Sequence, residues 1–452
     1  MEANMTNNKP WAFAALCMGF FMVILDVTIV NVALPSIAKT LNTTLSGLQW
    51  VVDGYTLTFA GLLLLVGALS DRFGAKIIFQ IGLLAFVVTS TGCALSPSIT
   101  CLILFRLLQG ASGAFLLPSS LALISNLYQD NKQRAQAIGI WAALGGIACS
   151  SGPFLGGVLT SLLSWHAIFF VNVLIGLNSF FLVSRYLKDI VKNNITKMKF
   201  DFLGQIVGFI TIILLAYGLI EASIYGWRSH LIIACFTLSA VTLILFLLIE
   251  SWVSHPALPL NLFRNRVTSM ALLVSMILNL VFYGELFMMP FYFENLRHYS
   301  VFMTGLAILP LPGLALIGSY LGGKFTASIG AAKTIFIGLL IAAIGFLVLL
   351  MLRETTPHYM WLIPPFFAIG FGVSLATPAM TFAAIHSVDP QRAGIAAAVL
   401  NTSSQVGSLI GVAVFGTITA ISSSFMSAMH VTLLLAGIIF IVTACLSLFL
   451  ME

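Results

Sequence analysis

Gly67-Ala-Leu-Ser-Asp-Arg-Phe-Gly-Ala-Lys76 is a charged, glycine-bounded turn set between two long apolar runs. A sparser copy stands downstream, Gly323-Lys-Phe-Thr-Ala-Ser-Ile-Gly-Ala-Ala-Lys333. In both, two glycines lie seven residues apart and a lysine follows the second; the copy lacks the Asp-Arg pair. Two further echoes fall at nearly the same offset. Gly110-Ala-Ser-Gly-Ala-Phe-Leu-Leu-Pro118 aligns with Gly370-Phe-Gly-Val-Ser-Leu-Ala-Thr-Pro378, and Asp130 to Arg134 with Asp389 to Arg392. Three echoes at one spacing predict a chain made of two related membrane-embedded halves.

The 452 residues are 60% hydrophobic and only 8% charged, against about 25% charged in a soluble domain. This is the composition of an all-α polytopic membrane protein. A spanning helix needs about 20 apolar residues. Fourteen such runs are present, near 11–34, 47–69, 76–95, 100–127, 134–162, 166–187, 202–224, 230–252, 268–293, 301–325, 332–352, 358–385, 392–420 and 428–450. With the N-terminus in the cytoplasm, fifteen loop cations fall inside and four, Lys39, Arg228, Arg297 and Arg353, outside. The positive-inside asymmetry therefore predicts both termini in the cytoplasm of a multi-pass protein of the cell membrane. The first run is too long for a signal-peptide core and lacks a cleavage site.

The repeat offsets divide the chain. Residues 1–187 form one six-helix bundle and 268–452 a second, pseudo-symmetric with it. Linkers 188–201 and 253–267 bracket an inserted two-helix hairpin, 202–252, which has no counterpart in the repeat. The six cysteines form no CxxC, and no histidine has metal-ligand spacing, so no metal or cofactor is expected. There is no phosphate-binding loop and no constellation of an enzyme's active site.

The whole chain resembles the major facilitator superfamily and, more narrowly, its fourteen-helix drug–proton antiporter family. The Gly67–Lys76 turn matches the superfamily's signature between the second and third helices. Leu25-Asp-Val-Thr-Ile-Val-Asn-Val-Ala-Leu-Pro35 matches the family's first-helix signature, and Gln49-Trp-Val-Val-Asp-Gly-Tyr55 its second-helix opening. Arg106-Leu-Leu-Gln-Gly110 matches the fourth-helix motif. Gly145-Gly-Ile-Ala-Cys-Ser-Ser-Gly-Pro-Phe-Leu-Gly-Gly157 matches the fifth-helix motif that marks exporters. The resemblance implies a proton-coupled antiporter exporting lipophilic, often cationic, drugs or biocides, not an enzyme. A dedicated exporter of one secreted metabolite or siderophore is the alternative; a proton-coupled importer fits the exporter motif poorly. A membrane sensor or scaffold without transport fits a chain with no soluble domain still less well. Protons, a small hydrophobic molecule and the bilayer are the expected partners, and a monomer the expected state.

Charges inside spans are rare and functional by default. Asp26 stands about 22 Å from the inner surface and Arg106 about 9 Å below the outer one. In a core of about 30 Å these depths nearly meet, so a buried pair is geometrically open to them. Asp26 and Arg106 are read as proton-coupling residues; a static ion pair fixing helix register is the plainer reading. Asp53, about six residues below the outer surface, is read as a wet mouth residue, a helix-turn partner or a cation gate, and in the last case joins the proton-coupling residues. Glu285, with Tyr283, Phe287 and Met288, and with Asn31 and Gln109, is read as the substrate cavity wall: a carboxylate among aromatics suits a lipophilic cation. Glu221 is read as snorkelling to water. Gly67, Asp71, Arg72, Gly74 and Lys76 are read as a conformational latch across the bundle interface. Gly145, Gly146, Gly152, Pro153, Gly156 and Gly157 are read as a close-packing, kinked helix face without chemistry of its own.

Overall fold

A computed structural model describes residues 3–187, 201–253, 256, 258–353, 358–389 and 393–451. Both predicted linkers lie wholly or partly outside those residues, as do Arg392 and the side chain of Asp71. The described chain is helical in sixteen α pieces. These are α1 (Ala3–Leu41), α2 (Leu45–Phe73), α3 (Ala75–Ala94), α4 (Ile99–Leu127), α5 (Asn131–Leu162), α6 (Ala167–Tyr186), α7 (Phe202–Tyr225), α8 (His230–Trp252), α9 (Arg266–Phe291), α10 (Val301–Ile308), α11 (Pro310–Gly313), α12 (Ala315–Ile329), α13 (Ala331–Leu349), α14 (Ile363–His386), α15 (Ala393–Ile421) and α16 (Phe425–Met451).

Among the described residues, thirteen spans are long and apolar enough to cross a membrane, with α10 to α12 forming one of them. The other predicted span is α2, a continuous helix of 29 residues that includes positions 64, 68 and 71, whose side chains are not described. Helix ends carry their own signals. Thr44, Ser98, Asp130, Asp201, Asn265 and Ser300 each accept a backbone N–H of the first turn at the start of α2, α4, α5, α7, α9 and α10.

Two predicted spans differ in detail. The first is longer than its apolar run, Ala3–Leu41, and carries Pro10 and Pro35 inside it. The tenth is broken twice, at Leu309 and Leu314, because Pro310 and Pro312 remove two backbone donors within one turn. Beside the second break, the Ser150 hydroxyl donates to Pro312 O at 3.2 Å.

The repeat read in the sequence reappears as backbone geometry. Gly74 separates α2 from α3 at φ +94°, and Gly330 separates α12 from α13 at φ +89°. Both glycines hold a conformation that side chains rarely adopt.

α1 packs on α5 and α6, α2 on α4, and α3 on α4 and α6; α9 packs on α15 and α16, and α13 on α14 and α16. Two seams join these sets. One is α2 against α15, where Gln49 Nε2 donates to Val412 O at 3.2 Å and Ala413 O at 2.9 Å. The other is α5 against α10, where a Cβ on Gly157 would stand 3.1 Å from Gly305 Cα. Both close contacts lie at the end of the bundle where α1 stops and α2 starts. Toward the opposite end the second seam continues through Ser150, which donates to Pro312 O at 3.2 Å, while Ile147 of α5 and Leu316, Ile317 and Tyr320 of α12 are exposed.

The α7–α8 pair lies against the first seam. Glu221 of α7 accepts from Trp50 Nε1 at 2.8 Å and Ser46 Oγ at 3.2 Å on α2. Thr417 of α15 donates to Leu219 O of α7 at 2.8 Å. Glu221 is half-buried, and one of its carboxylate oxygens is turned to α2. Its carboxylate is held by two donors 171 and 175 residues away in sequence.

A Cβ on Gly338 of α13 would stand 2.6 Å from Gly372 O and 3.0 Å from Ala376 N of α14. Gly338→Leu should cost on the order of 1–3 kcal/mol through overpacking. Purified protein in detergent should unfold at a clearly lower temperature; an unchanged midpoint would mean that this helix contact is not tight.

Candidate functional site

The centre of the site is a carboxylate on α1. Asp26 is fully buried and sits in an ionic cluster drawn from four helices. Arg106 Nη1 of α4 meets Asp26 Oδ2 at 2.5 Å. Asn172 Nδ2 of α6 donates to Asp26 Oδ1 at 2.6 Å, and Gln109 Nε2 of α4 to the same oxygen at 3.0 Å. Gln109 also accepts from Arg106 Nη1 at 2.8 Å and lies 2.8 Å from Ser90 Oγ of α3.

The rest of the guanidinium is equally committed. Arg106 Nε donates to Val51 O of α2 at 2.8 Å, and its carbon lies 4.4 Å over the Tyr55 ring. Every nearby group thus either neutralises the carboxylate or orients the cation, as a buried ion pair requires. The structure brings Asp26 and Arg106 together. Gln109 stands in this cluster, fully buried, and not on an open cavity wall. Asn172 and Ser90 were not singled out by sequence. Asn172 is a lone polar residue in an apolar run, and that isolation was its only signal; Ser90 stands between Thr89 and Thr91 and carried none.

Asp53 and Glu285 have a different environment. Asp53 is 0% and Glu285 1% exposed, and all four carboxyl oxygens lack a hydrogen-bond partner. Asp53 is therefore not a wet mouth residue. The mouth above it is shut by Gln49, one helical turn earlier, bonded to α15. Of the other predicted wall residues, Tyr283 is half-buried with its ring 5.4 Å from Phe282. Phe287 and Met288 are buried in the core of the last helices: Phe287 lies 5.6 Å from Phe291, and Met288 Sδ accepts from Thr432 at 3.4 Å. Asn31 is buried, its Nδ2 donating to Val27 O at 3.0 Å while its Oδ1 has no partner.

The glycine face of α5 is the mechanical neighbour of this cluster. A Cβ on Gly145 would meet the Phe20 ring at 2.5 Å, and one on Gly156 would meet Ile29 O at 2.6 Å. A side chain on Gly152 would run into Thr28. These contacts bracket Asp26 along α1. On its other side, Gly157 touches Gly305, whose own Cβ would stand 2.5 Å from Pro153 O. Gly146 faces a more open space, with Leu316 Cδ2 at 4.0 Å. Between that contact and the Gly157–Gly305 contact lies a cavity of about 360 Å³ lined by Ile147, Ser150, Ser151 and Phe154 of α5 and by Leu309, Pro312, Gly313 and Leu316.

Of the charged turn, Gly67 and Gly74 have open space at the Cβ position. Arg72 is exposed and lies 5.2 Å over the Phe73 ring. Lys76 is half-buried and engaged in an interaction.

A ring of membrane-length helices, two seams closed at one end, and an ion pair sealed in the interior define a multi-pass membrane transporter. The comparisons give the family. A model of the Major Facilitator Superfamily matches residues 16–412, and the chain belongs to that superfamily. It is 36% identical over 431 residues to a methylenomycin A resistance protein of Bacillus subtilis (strain 168), covering 95% of this chain and 92% of that one. It is 35% identical over 418 residues to the multidrug resistance protein Stp of Mycobacterium tuberculosis (strain CDC 1551 / Oshkosh), covering 92% and 77%. Among solved structures, an auto-inhibited POT family peptide transporter superposes with a TM-score of 0.69 at 14% identity, covering 97% of this chain and 95% of that one. An inward-facing, unoccupied bacterial homolog of the human lysosomal transporter Spinster gives 0.64 at 16% identity, with 98% and 96% covered. The two likenesses establish the fold.

Removing Arg106 alone strands Asp26 among neutral amides. Arg106→Met should destabilise the protein by about 3–5 kcal/mol, and the double variant Asp26→Asn with Arg106→Met should recover most of that loss. Thermal unfolding of the two proteins measures it; equal midpoints would show that the pair carries no net coupling.

Proposed function

We propose that this protein is a proton-coupled exporter of lipophilic compounds, cationic drugs or biocides among them, working by alternating access in the cell membrane. The observation that carries the reading is the buried Asp26–Arg106 cluster beside the exporter-type glycine helix. The resistance proteins to which the chain is 35–36% identical support efflux. The excess of loop cations on one side supports cytoplasmic termini. The end closed by the two seam contacts then faces outward.

In this reading residues 1–187 and 268–452 are the two rocking bundles, and 202–252 is a hairpin set against the α2–α15 seam. The monomer is the working unit. Asp26 exchanges its proton when α5 slides against α1 and loosens the cluster, because a carboxylate losing its cation and donors no longer holds its charge cheaply in a dry interior. Asp53 and Glu285 complement it from the interface. Unpartnered carboxylates in an apolar interior are what a lipophilic cation would satisfy once the interface opens, by charge and through neighbouring aromatic rings. Asp71, Arg72 and Lys76 latch the cytoplasmic side in the opposite state. Each proton carried inward contributes about 2.3 kcal/mol per 100 mV of membrane potential.

A dedicated exporter of a single compound is the second reading, favoured by relatives named for resistance to one antibiotic, methylenomycin A. Broad competition among unrelated dyes separates the two.

The test uses everted vesicles, acid inside, with compounds added one at a time while internal pH is followed. Substrates should release protons from the lumen. Asp26→Asn should insert normally and abolish both proton release and dye efflux. Efflux at the parent rate in that variant would remove Asp26 from the coupling role.

A further inference from the structure

One buried acid takes no part in the reading above. α9 does not end at Phe291; it runs on into a π-turn, Tyr292–Leu296. Such turns are rare and concentrate at functional sites. Here the turn closes through Arg297 N–H to Tyr292 O at 3.1 Å and Tyr299 N–H to Phe293 O at 2.9 Å, and His298 then reverses the chain at φ +54°. Glu294 is inside this turn. Its side chain is 9% exposed and its Oε1 has no hydrogen-bond partner.

The surroundings are aromatic. Tyr292 and Phe293 are buried, and Phe293 lies 5.5 Å from Tyr299, 6.4 Å from Tyr359 and 6.3 Å from Phe366. On its own segment the titratable or charged groups are Tyr292, Arg297, His298 and Tyr299, with Tyr359 reaching in beside Phe293. α10, packed against the turn, has no titratable residue. From the opposing helices the facing charge is Lys39, exposed on the last turn of α1 and within electrostatic reach of Glu294. Among the described residues no ion pair joins the two.

Lys39 and Glu294 thus come from the two helix sets that meet at the closed end, α1 packing on both α9 and α10. Burying a carboxylate without a donor is costly unless the group carries its proton. Opening the mouth returns Glu294 to water and removes that cost. We infer that Glu294 is a proton-binding gate residue of the closed end, neutral while the mouth is shut and ionised when it opens. Its use rests on the exporter reading: a proton taken up from outside closes the outer mouth and commits the carrier to turn inward. No bond other than the carboxyl O–H forms or breaks, and the proton comes from outside water.

The experiment reads closure and not transport. Spin labels at Asn42→Cys and Ser423→Cys, exposed positions just past α1 and α15, report the mouth by pulsed dipolar distance measurement in nanodiscs across a pH series. In the otherwise unchanged chain the short-distance population should grow as pH falls. Glu294→Gln should stay short at every pH, losing the titration. A titration in Glu294→Gln that matches its parent's overturns the inference. Should that variant not fold, Glu294→Asp decides: a displaced midpoint supports the assignment and an identical one overturns it. Failure of the unaltered protein to export under a pH step would sink the exporter reading while leaving this result standing, so the two failures are distinct.

Discussion

One buried charge organises the first half of this chain. An isolated carboxylate in an apolar bundle is prohibitively expensive, and Asp26 is tolerable only because Arg106, Asn172 and Gln109 reach it together. Those partners sit on α4 and α6, Ser90 extends the cluster to α3, and Arg106 ties it to the backbone of α2. Five helices are therefore pinned at one point. Small errors in their register would leave a donor or an acceptor stranded, so the cluster sets alignment as well as charge balance. α5 is the first-half helix that the cluster leaves out, and it meets α1 through glycines. A helix held by close van der Waals packing can slide where one held by an ionic network cannot.

The second half is assembled by other means. Gly411 and Gly407 of α15 press on the carbonyls of Leu280 and Met276, and Gly284 of α9 presses on Gly411 O. Backbone-to-backbone packing of this kind is the membrane's substitute for hydrophobic collapse, which lipid does not provide. The acids in this half, Glu285 and Glu294, keep carboxyl oxygens without donors. The bundle thus holds one saturated carboxylate, Asp26, beside unsatisfied ones in both halves, Asp53 in the first and Glu285 and Glu294 in the second. A saturated group resists change of state, whereas an unsatisfied group favours whichever state brings it water, a proton or a cation.

Much of the architecture was legible because a span is a composition signal: twenty apolar residues, punctuated by Gly74, Gly330 and polar caps, locate a helix within a few residues. Pairing was legible where depth alone constrained it, as for Asp26 and Arg106. Partners distant in sequence were not. Glu221 looked like a snorkelling residue because nothing near it hints at Trp50. Asp53 looked wet because a distance from the span end says nothing of what covers that end. Glu294 escaped notice because the apolar run stops just before it, while the helix continues as a π-turn. The double break at Leu309 and Leu314 was written in Pro310 and Pro312, but an apolar count does not weigh prolines.

The two seams between the halves are not equivalent, and the difference follows from the inserted hairpin. α7 covers α2–α15, bonded to α2 through Glu221 and to α15 through Leu219 O. The α5–α10 seam has no such cover. Beside its broken partner helix lies a cavity lined almost wholly by carbon. Even its serines turn their hydroxyls inward, Ser150 to Pro312 O and Ser151 to Ala148 O at 3.1 Å. With one flank stapled by the hairpin and the other held by the Gly157–Gly305 contact and a single Ser150–Pro312 O hydrogen bond, relative movement of the halves meets less resistance at α5. That is the helix lying against Asp26, so the compliant seam and the buried charge are mechanically adjacent.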